Sequence, residues 1–269
     1  MSNHDFDLNA GNSEFYVDPV YYDYEFKNRT DDVAFYTAEY LSVGKPILEL
    51  AIGSGRTALK AVSKGADVVG VDLAPAMLDR ARDLYAKMRK KNRGQLELHH
   101  GDMRHVRLGT QFDLVTCPFN AFQHMYTLTD AEKCLDTVKA HLAPDGMFIM
   151  DVLTPDFEYL MRSPFKAVPG VSFRHPTYKA YYTYSERSAY DPITQLNQMW
   201  FNYEKCNTAG DGPTDVTIQL SHRYFYPEEL MMLLHYNGFE VIHRYGDFNK
   251  GPLDADSDSM VLICKRTSS

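Results

Sequence analysis

The feature that most narrows the folds open to this chain is the segment Glu49-Leu-Ala-Ile-Gly-Ser-Gly-Arg56. It comes directly after the short apolar run Pro46-Ile-Leu-Glu-Leu-Ala51 and directly before a helix-forming stretch from Arg56 to Lys64. Glycines at such a place let the backbone turn tightly and approach a ligand at the C-terminal edge of a strand. A glycine pair alone is weak evidence, but here both flanks fit, and the pattern then repeats. After Gly65, residues Ala66 to Asp72 read as a second strand. Pro75 opens a helix through Met77, Leu78, Ala81 and Leu84 to the basic end Arg89-Lys-Lys91. Gln95 to His100 is a third strand, ending at Gly101-Asp102, and Phe112 to Cys117 is a fourth. Thr129 to Leu142 has the spacing of a helix, Pro144-Asp-Gly146 that of a turn, and Gly146 to Val152 that of a buried strand. Strands alternating with helices in this way argue for an α/β fold with a parallel sheet covered on both faces.

The flanks have a different character. Residues 1–45 are rich in tyrosine and acids, with a helical pattern from Asp31 through Val33, Tyr36 and Tyr40 that stops at Gly44. Residues 171–226 hold runs of alternating polar and aromatic residues (Ala180 to Tyr184, Gln198 to Tyr203, Val216 to Tyr226), the signature of antiparallel strands with one wet face. Pro227 opens a helix that ends at Asn237-Gly238, and Phe239 to Tyr245 and Met260 to Lys265 read as a closing pair of strands. The expected division is an arm at 1–45, an α/β core at 46–170, an antiparallel cap at 171–226 and the closing helix and strands of the core at 227–269.

Composition narrows the functional classes. Of 269 residues, 28 are basic and 36 acidic, a net charge of -8 that repels phosphate backbones and disfavours a nucleic-acid partner. No apolar stretch approaches the roughly 18 residues of a membrane span. Met1 to Ala10 has no leader character, and the widely spaced Cys117, Cys134, Cys206 and Cys264 read as reduced thiols of a cytoplasmic protein. No Cys/His cluster suggests zinc, and Asp254-Ala-Asp-Ser-Asp258 lacks the glycine and terminal glutamate of a calcium loop, so no metal is expected.

Asp72 ends the second strand and Asp102 the third, so with the glycine loop three polar groups line one crevice; an acid at the first of these places accepts hydrogen bonds from a ribose diol. Glu49 to Gly55, then Val71-Asp72-Leu-Ala-Pro-Ala-Met77-Leu, then His100-Gly-Asp102-Met103, resemble the successive motifs of class I S-adenosylmethionine-dependent methyltransferases. The resemblance covers roughly residues 45–155 and implies a Rossmann-like seven-stranded sheet of order 3-2-1-4-5-7-6, its last strand antiparallel, with the antiparallel insertion as substrate cap. It implies S-adenosyl-L-methionine as cofactor, S-adenosyl-L-homocysteine as product and a small-molecule acceptor. Glu49, Ala51, Gly53 and Gly55 would carry the methionine end, Asp72 and Leu73 the ribose, and Met77, Asp102, Met103 and Cys117 the adenine side. Ala51 departs from the commonest motif, which has glycine there.

The N-terminal Tyr21-Tyr-Asp-Tyr-Glu-Phe-Lys-Asn-Arg29 resembles the lid of amino-sugar N-methyltransferases, which implies Tyr22 near the methyl group and Arg29 on the cofactor carboxylate. Phe26 stands where that lid prefers tyrosine. In Cys117-Pro-Phe-Asn-Ala-Phe-Gln-His-Met125, His124 has the chemistry of a general base and Asn120 that of an acceptor-orienting group. Each reads equally well as a packing or turn residue. Arg174, Tyr182, Trp200, Arg223 and Tyr224 suit acceptor binding, a homodimer face or plain strand composition alike, since aromatics favour strands. Two other functions are open on sequence: a non-catalytic S-adenosylmethionine-binding scaffold, and an NAD(P)-dependent Rossmann oxidoreductase, since Gly53-Ser-Gly-Arg-Thr-Ala58 also satisfies the dinucleotide pattern.

Overall fold

The computed structural model describes residues 7–206 and 210–267, so residues 1–6 of the N-terminal stretch read above lie outside the described residues. In chain order the helices are α1 (Leu8–Ser13), α2 (Pro19–Glu25), α3 (Asp31–Val43), α4 (Ala58–Val62), α5 (Pro75–Lys87), α6 (Leu128–His141), α7 (Phe157–Leu160) and α8 (Pro227–Tyr236). The strands are β1 (Ile47–Leu50), β2 (Val68–Asp72), β3 (Leu96–His100), β4 (Phe112–Cys117), β5 (Leu142–Leu153), β6 (Val168–Pro169), β7 (Phe173–Arg174), β8 (Tyr181–Asp191), β9 (Leu196–Lys205), β10 (Asp215–Arg223), β11 (Phe239–Tyr245) and β12 (Ser259–Arg266). Two compact units result: residues 28–154 with 225–267, and residues 7–27 with 155–224. Helix α3, within the expected arm, thus belongs to the first unit, and residues 155–170, within the expected core, to the second.

The first unit is a seven-stranded sheet in the order β11-β12-β5-β4-β1-β2-β3, the expected 3-2-1-4-5-7-6. β1 to β5 are parallel and β12 runs antiparallel to both β5 and β11. β1 is buried at every position, as a central parallel strand must be. Apolar clusters fill both faces, one around Leu135, Phe148 and Leu230, the other around Tyr36, Tyr40 and Ile263. The expected turn at Pro144-Asp-Gly146 does not interrupt the strand. The β4–β5 register jumps from Phe112↔Leu142 to Leu114↔Met147, so these residues form an excursion inside β5. At Gly70 the packing is tight: a Cβ there would sit 2.2 Å from Ile52 Cδ1.

The second unit is an antiparallel sheet, β10-β9-β8-β6, with β7 also on β8. Its packing is aromatic. His175 is sandwiched between Tyr21 at 4.9 Å and Tyr178 at 4.5 Å, both nearly parallel to it, and Tyr21 meets Tyr203 edge-on. Rings of this kind suit strands because they cover a pleated surface at small entropic cost.

Candidate active site

The loop after β1 turns through left-handed backbone at Ala51 (φ 54°), Gly53 (φ 60°) and Gly55 (φ 82°). That is why glycine is common at the first of these positions: a side chain there costs about 1–2 kcal/mol. At Gly55 a Cβ would lie 2.8 Å from Leu59 Cγ, so this glycine is required by space as well as by conformation. Beneath the loop, buried Glu49 accepts hydrogen bonds at 2.6 Å from both the Tyr40 and the Thr57 hydroxyls. Burial raises its carboxyl to about 7, even though those two hydroxyls and Arg56 pull the other way.

Asp72, at the end of β2, accepts from Gly53 N–H at 2.7 Å through Oδ2 and from Ala74 N–H at 2.8 Å through Oδ1. Each oxygen keeps a lone pair for a further donor. Burial lifts this carboxyl above its ordinary range. Leu73 beside it is exposed, and His100 Nε2 is 3.0 Å from the Leu73 carbonyl. Met77 is buried, with its methyl 3.3 Å from where a Gly53 Cβ would stand. At the end of β3, Asp102 is clasped by Arg104, whose Nε reaches Oδ1 at 3.0 Å and whose Nη2 reaches Oδ2 at 2.7 Å; Arg104 Nη1 also reaches Asp130 at 2.8 Å. Burial pushes the Asp102 carboxyl up, but the Arg104 hydrogen bonds and charge outweigh it and hold the group below the usual range. Met103 is half-buried against the core.

The turn after β4 is held by a residue the sequence reading missed. Phe119 (φ 56°) and Asn120 (φ 60°) are both left-handed, and their N–H groups donate to Asp151 Oδ1 at 2.8 Å and Oδ2 at 3.0 Å. The Tyr36 hydroxyl also donates to Asp151, at 2.6 Å, and burial raises that carboxyl to about 6. A lone acid inside the apolar run Gly146 to Val152 was the available signal. Cys117 is fully buried, and burial pushes its thiol far up, so it is inert. Asn120 Oδ1 is buried without a hydrogen-bond partner. His124 closes a 3-10 turn (Ala121–His124), with Nδ1 3.2 Å from the Tyr126 hydroxyl, and burial lowers its imidazole to about 4. Arg29 lies over the Phe119 ring at 5.8 Å, and its carbonyl accepts from Arg56 at 3.1 Å.

The remaining sequence candidates lie in the second unit. Tyr22 is buried in α2 among Phe15, Tyr16 and Phe26. Cross-strand register puts Arg174, Trp200 and Arg223 on one face of the antiparallel sheet, with Arg187 over Trp200 at 5.7 Å. Tyr182, Tyr184, Glu186, Asn197 and Tyr203 share the opposite face.

These groups fit the cofactor that the motif implies. A left-handed glycine loop leaves room for close approach, an aspartate with spare lone pairs suits a diol, and an exposed leucine offers a ring an apolar surface. Residues 47–146 match the methyltransferase domain family. The chain is 28% identical over 127 residues to dTDP-3-amino-3,6-dideoxy-alpha-D-glucopyranose N,N-dimethyltransferase of Streptomyces fradiae, covering 47% of each chain, so it spans about half of that relative. It is 27% identical over 224 residues to glycine/sarcosine N-methyltransferase of Aphanothece halophytica, covering 82% of this chain and 76% of the other. In structure it is similar to the CcbJ methyltransferase from Streptomyces caelestis, with a TM-score of 0.77 at 21% identity over 98% of this chain and 100% of that one. Over residues 47–146 the chain is thus similar to S-adenosylmethionine-dependent methyltransferases, and its fold is theirs. Among the described residues no helix is long and apolar enough to cross a membrane.

Proposed function

We propose that the chain transfers a methyl group from S-adenosylmethionine to the nitrogen of a small-molecule amine. The observation that carries the reading is the set of groups at the ends of β1 to β4, all in one unit and each held by the hydrogen bonds described above. A nitrogen acceptor is supported by the names of the two curated relatives given above, an N,N-dimethyltransferase and an N-methyltransferase. The cofactor, when bound, supplies a methyl group activated on a sulfonium; the chain binds, orients and excludes water.

Asp72 would take the ribose hydroxyls on its remaining lone pairs, with Leu73 beside it. The Ala51–Gly55 loop over Glu49 would pass the methionine end, Arg29 would meet its carboxylate, and Met77, Asp102, Met103 and the backbone of Cys117 would flank the base. His124 is neutral at physiological pH, so its imidazole can accept a hydrogen bond from an amine or take its proton after transfer, and Asn120 would orient the acceptor. Transfer to a neutral amine needs alignment more than a strong base, which suits a histidine whose imidazole holds a proton weakly.

Calorimetric titration with S-adenosylhomocysteine, with NAD⁺ and NADP⁺ as controls, tests the cofactor. One-site binding that weakens by about a hundredfold in Asp72→Ala, from the loss of two charge-assisted contacts, is expected. Binding only to a nicotinamide would overturn the reading. Given cofactor binding, single-turnover assays on paired amines and alcohols should show methylation of the amines. Turnover of alcohols alone makes the enzyme an O-methyltransferase, and no turnover on any acceptor leaves a binding scaffold.

A further inference from the structure

The turn after β4 holds a bulky aromatic residue in a conformation that side chains rarely take. Phe119 has φ 56°, and Asn120 after it has φ 60°. Left-handed backbone costs any residue with a Cβ, so two such residues in succession persist only where their surroundings impose it. Asp151 imposes it here. Its Oδ1 accepts from Phe119 N–H at 2.8 Å and its Oδ2 from Asn120 N–H at 3.0 Å, while the Tyr36 hydroxyl holds the same Oδ1 at 2.6 Å. Tyr36 and Asp151 are both buried, so the clamp is fixed from within the sheet unit.

This clamp presents the half-buried Phe119 ring to two cations. The Arg56 guanidinium lies 4.0 Å from the ring centre and that of Arg29 lies 5.8 Å from it. The negative face of an aromatic ring attracts a cation out to about 6 Å from its centre. The two arginines differ in what else holds them. Arg56 is paired with buried Asp32, and it donates to the Arg29 carbonyl at 3.1 Å. Arg29 is exposed, and its side chain pairs with no carboxylate among the described residues. Its backbone is thus pinned by Arg56 and its side chain steadied by the ring, while its charge stays uncompensated. A long flexible cation loses rotamer freedom when it captures an anion, and a ring that confines it beforehand lowers that loss.

We propose that Phe119, clamped by Asp151 and Tyr36, is a positioning residue that aims Arg29 at the carboxylate of the cofactor's methionine end. The assignment rests on the S-adenosylmethionine reading, in which it gives the strained turn a task on the cofactor side.

The test titrates the full chain calorimetrically with S-adenosylhomocysteine and with 5′-methylthioadenosine, which keeps the adenosine and the thioether but lacks the amino-acid end. The first should bind at least about tenfold more tightly, through the charge-assisted contact to its carboxylate. Phe119→Leu keeps an apolar side chain and removes the ring. It should weaken S-adenosylhomocysteine by about three- to fivefold and methylthioadenosine by less than about twofold, and Phe119→Tyr should restore wild-type binding of both. In an Arg29→Met background Phe119→Leu should bring no further loss, which assigns the effect to Arg29 and not to Arg56. Asp151→Asn cannot accept from both N–H groups and should show the same selective loss, on the order of tenfold. If that variant does not fold, the Phe119 and Arg29 cycle decides alone. No loss in Phe119→Leu, an equal loss for both ligands, or a loss that persists without Arg29 would overturn the assignment. Wild-type chain that binds both ligands equally would overturn it too and leave the cofactor reading standing, whereas binding of neither sinks the cofactor reading itself.

Discussion

Glu49 carries an ionisable group under the glycine loop with hydroxyls, and no cation, as its hydrogen-bond partners. Burial pushes its carboxyl up from an ordinary 4.5 to about 7 in the folded chain. The folded pKa lies above the unfolded one, so the native state holds the proton more tightly. The stability this contributes is fully present below pH 4.5 and is lost as pH rises through about 7. Glu49→Gln keeps the shape and removes the ionisation, since Tyr40 and Thr57 hydroxyls can turn to accept from an amide. The gap in unfolding free energy between Glu49→Gln and wild type should therefore widen in favour of the variant from about pH 5 to pH 7, reaching on the order of 3 kcal/mol. Urea melts at half-unit pH steps measure it; parallel curves would show that Glu49 is not titrating in the fold. Asp151, raised to about 6, titrates in both proteins and cancels.

Between elements, the decisive joint is the one Arg56 makes. It pairs with Asp32 in the first turn of α3, through Nη1 at 3.1 Å to Oδ1 and through Nη2 to Oδ2, and its guanidinium lies 4.0 Å from the centre of the Phe119 ring. One side chain thus ties α3, the glycine loop and the turn after β4. Asp32 is 2% exposed, so Arg56→Ala strands a buried carboxylate and should cost about 3–5 kcal/mol. Arg56→Met combined with Asp32→Leu removes both charges and should recover most of that loss, because an apolar pair needs no desolvation of charge. Denaturant titration of the cycle reads the coupling directly; a double variant no more stable than Arg56→Ala would show that the ion pair is not the source. Joints of this kind mark the boundary of what the sequence discloses. The strand and helix alternation, the glycine loop and the acids at Asp72 and Asp102 were legible, because they follow from periodicity and from local backbone chemistry. Asp151 showed only as a lone acid in an apolar run: its partner Tyr36 is 115 residues away, so nothing local discloses which turn it grips. The face of the cap sheet was equally hidden. Arg174, Trp200 and Arg223 attract notice by residue type, but only the register reveals that Glu186 and Asn197 lie on the other side.

At the scale of the whole molecule, the chain leaves the seven-stranded unit at residue 154 and returns to it at residue 225. Both crossing points are fixed within that unit by the same short turn. The Leu153 N–H donates to Gln123 Oε1 at 3.2 Å, and the Phe225 ring is 5.3 Å from that of Phe122. The two ends are therefore close enough for a linker of a few glycine and serine residues, whose closure costs little entropy. All seven strands and both apolar clusters lie within residues 28–154 and 225–267. A chain that begins at Asn28 and joins Thr154 to Phe225 through such a linker should fold with one cooperative thermal transition. It should also bind S-adenosylhomocysteine, because the glycine loop, Asp72, Asp102 and Arg29 are all retained. Its affinity against that of the full chain measures what residues outside the seven-stranded unit contribute to binding: a loss of about tenfold corresponds to about 1.4 kcal/mol. A shortened chain that melts cooperatively yet binds no S-adenosylhomocysteine would mean that the cofactor site needs residues outside the seven-stranded unit. A chain with no cooperative transition would mean that the sheet cannot fold without the segment it encloses. Binding as tight as that of the full chain would mean that the seven-stranded unit holds the whole cofactor site by itself.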